Sequence, residues 1–140
     1  MNNYMKLTFP ARAENEVFAR TCVSSFILQL NPSLSELSDI KTAVSEAITN
    51  AVVHAYPNDK NGKIYLEVNV EDKTVHIKIK DNGIGIANPK EAQEPFFTTK
   101  PDSEHSGMGF TVMQTFTDSL EIVTKSGCGT EINMKKTVIG

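Results

Sequence analysis

The sequence has no tryptophan and only two cysteines in 140 residues. Cys22 and Cys128 lie far apart and neither belongs to a CxxC pair, so both are read as free thiols rather than as a disulfide or a metal-binding set. The three histidines, His54, His76 and His105, are too scattered to complete a zinc site with them. No apolar run approaches the roughly 20 residues that cross a bilayer. The opening Met1–Lys6 also lacks the apolar core of a secretory leader. The expectation is a soluble, cytoplasmic protein. Excess positive charge is missing too. Lys and Arg number 14 against 17 Asp and Glu, for a net charge of −3 and a pI of about 5.6. Such a field attracts neither nucleic acid nor an anionic membrane. Finally, the GxxxxGK[ST] phosphate loop does not occur.

What is present suits one compact domain over residues 1–140. Hydrophobic residues make up 39% and charged residues 22%, an ordinary globular balance. There is no internal repeat and no low-complexity tract. Met5, Leu7 and Phe9 alternate with polar neighbours, a half-buried strand that Pro10 ends. Residues 14–30 read as a helix whose apolar stripe is Phe18, Cys22 and Phe26, widened by Val17 and Val23, with Asn31-Pro32 as its stop. A second helix opens on a capping box, Ser33 with Glu36. It continues through Leu37, Ile40, Val44, Ile48, Ala51 and Ala55 to Pro57.

Two alternating runs follow, Ile64 to Val70 and Val75 to Ile79, joined by Glu71-Asp72-Lys73 as an antiparallel hairpin. The stretch from Asp81 to about Gly107 has few regular signals, and loops of that length are usually lids or binding segments. A short helix from Gly109 to Phe116, a strand near 120–124, a turn at 126–129 and a last strand from 130 to 134 complete the chain. The expected fold is α+β: a two-layer sandwich with an antiparallel-dominated mixed sheet and helices on one face.

Three constellations suggest chemistry. Glu46, Asn50 and His54 lie at i, i+4 and i+8 on one side of the second helix. Alone they fit a solvated helix face. Functionally, an amide oxygen is a hard neutral ligand suited to Mg²⁺, and a carboxylate one turn earlier can accept a proton from an attacking hydroxyl. Asp81-Asn82-Gly83-Ile84-Gly85 directly follows a strand. Its glycines permit a sharp turn and close ligand approach, and an ionised Asp81 wants a donor such as an exocyclic base amine. Adenine fits, guanine is not excluded, and a plain turn would look the same. Ser106-Gly107-Met108-Gly109-Phe110 opens a helix, whose free N–H groups make a phosphate site. Between them, Phe96-Phe97-Thr98-Thr99-Lys100-Pro101 has the hydroxyls and lysine of a phosphate-closing lid, or is a hydrophobic tether in a polar loop.

In this order the motifs resemble the ATP-binding fold shared by gyrase, Hsp90, histidine kinases and MutL, a Bergerat-type fold. Asn15–Arg20, Val44–Ala51, Phe97–Pro101 and Ser106–Phe110 are more closely similar to the sporulation anti-sigma factors, with the kinases of the general stress sigma factor as neighbours. That resemblance implies a homodimeric serine kinase that holds a sporulation sigma factor inactive and phosphorylates an anti-anti-sigma protein, with ATP and Mg²⁺. It implies that Asp81 binds the adenine amine, Asn50 holds Mg²⁺ and Glu46 is the catalytic base. Gly83, Gly85, Gly107 and Gly109 would shape the cleft, with Ser106, Met108 and Phe110 beside them. Thr98 and Thr99 would belong to the lid, Thr130 would sit near the base, and Arg20 would contact protein partners. His105 stands where the family has a γ-phosphate-binding arginine, and Asp-Asn-Gly replaces the frequent Asp-Glu-Gly. The first departure keeps open an ATP-dependent sigma-binding switch with little kinase activity.

Overall fold

The computed structural model describes residues 2–56, 61–84, 109–125 and 127–140. Among them the order is β1 (Asn2–Pro10), α1 (Ala13–Ile27), a 3₁₀ turn (Leu28–Leu30), α2 (Leu34–Asn50), a π turn (Ala51–Ala55), β2 (Lys63–Glu71), β3 (Thr74–Asp81), α3 (Gly109–Phe116), β4 (Ser119–Lys125) and β5 (Gly129–Thr137). The sheet order is β1-β2-β3-β5-β4. All four pairings are antiparallel, so no parallel pair occurs among the described strands. The expected α+β architecture is the observed one.

Strict alternation decides which face of the sheet is covered. Ile64, Leu66, Val68 and Val70 of β2 and Val75, Ile77 and Ile79 of β3 are buried, together with Ile132 and Met134 of β5. Each full burial of such a side chain contributes about 1.5–3 kcal/mol. The hairpin turn is Asp72-Lys73, between the pair Glu71 and Thr74, and Asp72 takes a left-handed φ of 53°.

Helix α2 supplies the matching layer with Ile40, Ala43, Val44, Ala47 and Ile48. Its capping box is complete. The Glu36 N–H donates to Ser33 Oγ at 3.1 Å, and the Ser33 N–H donates to Glu36 Oε1 at 2.9 Å. The same carboxylate also receives the N–H of Ile139 at 2.6 Å and of Gly140 at 3.0 Å. The Ile139 N–H leads the causes that hold the Glu36 carboxyl down at about 2. The segment after β5 is thereby tied to the start of α2, and buried Val138 donates its N–H to the Lys73 carbonyl.

The face of α1 differs from the expected stripe. Ala19, Val23 and Ile27 are buried, whereas Val17 and Phe18 are 50% and 55% exposed and Cys22 is half-buried. The two stripes are parallel i, i+4 rows one residue apart. Helix α1 packs on α2, and the row it buries is the one that contains alanine, the side chain that allows the closest approach. The larger Phe18 is left outside and Phe26 packs partly on the core, while Val23, expected at the edge of the stripe, is fully buried. Helix α1 also ends three residues early as an α-helix. Its last turn tightens to 3₁₀, and Asn31 closes it in a left-handed conformation, with φ 52°.

Candidate nucleotide site

The site is built around the end of β3, the central strand. Asp81 is its last residue and is 6% exposed. Its Oδ1 accepts the Gly83 N–H at 2.9 Å and the Thr130 N–H at 3.2 Å. Burial is the largest influence on this carboxyl and pushes its pKa up, against the lowering effect of the two N–H groups. Thr130 lies opposite Asp81 in the β3–β5 ladder, and its hydroxyl is 3.0 Å from that of Thr124. Asp81 and Thr130 thus meet at the end of the central strand.

Two glycines fit this corner by close packing. A Cβ on Gly83 would collide with the carbonyl of Ala55, and the Ile84 N–H donates to that carbonyl at 3.0 Å. Gly83 therefore accommodates the end of the π turn. Gly129 was overlooked. It has φ +90°, and a Cβ there would collide with the Asp81 carbonyl. Its signal was the Gly127-Cys128-Gly129-Thr130 run leading into β5. Tyr56 was overlooked as well, because it reaches Asn82, 26 residues further along the chain.

Glu46 and Asn50 are half-buried on the last turns of α2. Glu46 Oε2 lies 3.4 Å from where a Cβ on Gly109 would stand, so α2 presents this carboxylate to the first residue of α3. Phe110 was expected beside the nucleotide, but its side chain is 6% exposed and belongs to the hydrophobic core. A helix start must be anchored, and Phe110 with Met113 anchors this one. His54 is half-buried within the π turn that follows α2. His76 is half-buried on β3. Gly85, Thr98, Thr99, His105, Ser106, Gly107 and Met108 lie outside the described residues.

Arg20 shares a groove of about 440 Å³ with Leu37, Lys41, Ser45 and Glu46. Its Nε is 3.6 Å from Glu16 Oε1, an ion pair one helical turn back. Sequence spacing gave no hint that the expected partner-contacting residue and the expected base line one groove. Among the described residues no group of three or more His, Cys, Asp or Glu is arranged to hold a metal ion. No described helix is long and apolar enough to cross a membrane.

An antiparallel sheet, a helical layer and a polar corner at the end of the central strand define a histidine kinase-like ATPase domain. The model of that family matches residues 9–136. ATP binding follows from this class. The chain is 52% identical over 136 residues to the anti-sigma F factor of Geobacillus sp. (strain WCH70), covering 97% of this chain and 93% of that protein. It is 54% identical to the anti-sigma F factor of Clostridium perfringens (strain SM101 / Type A), covering 97% of each. Among solved structures, the RsbU and RsbW domains of a Mycobacterium tuberculosis protein superpose with a TM-score of 0.69 at 17% identity, over 97% of this chain and 32% of that one. Within the ATPase class, the chain belongs to the anti-sigma F factor family.

Proposed function

We propose that this protein binds and inhibits a sporulation sigma factor and is a serine kinase for an anti-anti-sigma protein, acting as a cytoplasmic homodimer. The observation that carries the reading is the position of Glu46. It faces the start of α3 on one side and lines the Arg20 groove on the other. A serine presented by a protein seated at Arg20 would meet Glu46 as proton acceptor. The N–H groups at the start of α3 would meet the transferring phosphoryl group. Asp81 would accept the adenine amine, with its Oδ1 already fixed by Gly83 and Thr130.

The donor set fits Mg²⁺. A single neutral amide at Asn50 suits a cation that takes its remaining oxygens from phosphate and water. When bound, it would neutralise phosphate charge. The test is incubation with [γ-³²P]ATP, Mg²⁺ and a purified anti-anti-sigma protein. Labelled phosphoserine is the expected product. Intact ATP-dependent sigma binding without label would replace the kinase by a binding switch, the reading that His105 favours.

A further inference from the structure

Tyr56 is where the π turn ends, and it does something the nucleotide motifs do not account for. The last pair of the β2–β3 ladder is Ile64 with Asp81. The next rung would join Lys63 to Asn82. That rung is not closed directly. The Asn82 N–H donates to Tyr56 Oη at 2.7 Å, and Tyr56 Oη–H donates to the Lys63 carbonyl at 2.8 Å. The hydroxyl is a one-atom insert between the two strands, at the point where β3 leaves the sheet. Its ring lies against Gly62, where a Cβ would collide with it. One residue earlier, Ala55 holds Gly83 and Ile84 by close packing and a 3.0 Å bond. The π turn thus grips three consecutive residues after Asp81.

We infer that Tyr56 is a positioning residue for nucleotide binding: its hydroxyl wedges open the β2–β3 ladder after Asp81 and fixes the path of Asn82–Ile84 beneath the base. This rests on the proposed assignment of Asp81 to the base. Without the hydroxyl, Lys63 and Asn82 are free to close the missing rung, which draws the Asp81–Gly83 corner toward the sheet. The effect falls on the base and not on the γ-phosphate, so ATP and ADP must lose affinity equally.

Tyr56→Phe keeps the ring against Gly62 and removes only the wedge. Isothermal titration with ATP and with ADP is expected to show both dissociation constants raised by the same factor, roughly three- to tenfold for one such bond. In the kinase assay KM for ATP should rise with kcat unchanged, a split that general loosening of the fold would not give. Hydrogen exchange at the Asn82 amide should quicken. Tyr65→Phe, at a half-exposed tyrosine on the outer face of the sheet, is the control and should match wild type. Wild-type affinities in Tyr56→Phe overturn this inference alone. A wild-type protein that binds neither nucleotide overturns it together with the assignment of Asp81.

Discussion

The two ends of the candidate site are built in opposite ways. At the base end, backbone meets backbone: Gly83 against Ala55, Gly129 against Asp81, and Asp81 Oδ1 shared by two N–H groups. At the transfer end, side chains line an open groove, with Glu46 and Arg20 half-buried and only the start of α3 packed close. A rigid corner suits recognition of an invariant ligand, whereas an open groove suits a protein substrate that must arrive and leave. The base end thus merges stability with binding, and the transfer end separates them.

The largest expected effect tests that merger. Gly129→Ala must adopt a left-handed backbone and displace the Asp81 carbonyl, at a cost of at least about 3 kcal/mol. Denaturant unfolding should show that loss, with ATP binding falling alongside it. If stability fell while ATP affinity held, the two ends would not differ as argued.

Glu46→Gln probes the other end. Phosphoserine formation should fall by about 10²–10⁴-fold, with ATP affinity and melting temperature as in wild type. Unchanged transfer would remove Glu46 from its role.

Asp81→Asn is the exception at the rigid end, because it removes the buried charge without moving the backbone that joins stability to binding. The amide keeps one acceptor for Gly83 and Thr130 but offers a donor to the base amine. ATP affinity should fall at least about tenfold. Burial raises the folded carboxyl's pKa, so ionising it disfavours the native state. That penalty is absent below the unfolded value and grows as pH rises through the folded one. The variant should therefore melt higher than wild type at neutral pH, and the gap should close in acid. A lower melting point at pH 7 would contradict the burial argument.

The smallest effect lies outside both ends. The folded Glu36 carboxyl is lowered from 4.5 to about 2. Its stabilisation is complete above the unfolded value and is lost as pH falls through the folded one. Acid unfolding of Glu36→Gln should lack this component between those values, and its ATP affinity should equal that of wild type.

Much of the fold was legible because it is local. The Ser33–Glu36 box, the alternation of β2 and β3, and the start of α3 at Gly109 are patterns within a few residues. Helix α1 was misjudged because two adjacent i, i+4 rows compete, and the choice depends on the partner helix. Glu46, Asn50, Asp81 and Thr130 were legible as motif residues. Gly129, Tyr56 and the tail bound to Glu36 were not, since each acts on a segment at least 26 residues away or across the sheet. The wide turn at Ala51–Ala55 has no local signature, although it delivers Tyr56.

The double use of Asp81 Oδ1 sets a rule for anyone redesigning this pocket to take a different nucleotide. One oxygen of the carboxylate is already committed to the architecture, so the position tolerates only side chains that return an acceptor to the same point. Swapping it for a residue chosen solely to match a new base would dismantle the corner before the new ligand could be read. A change of preference has to be written into the neighbouring positions, with Asp81 or its amide retained as the hinge of the design.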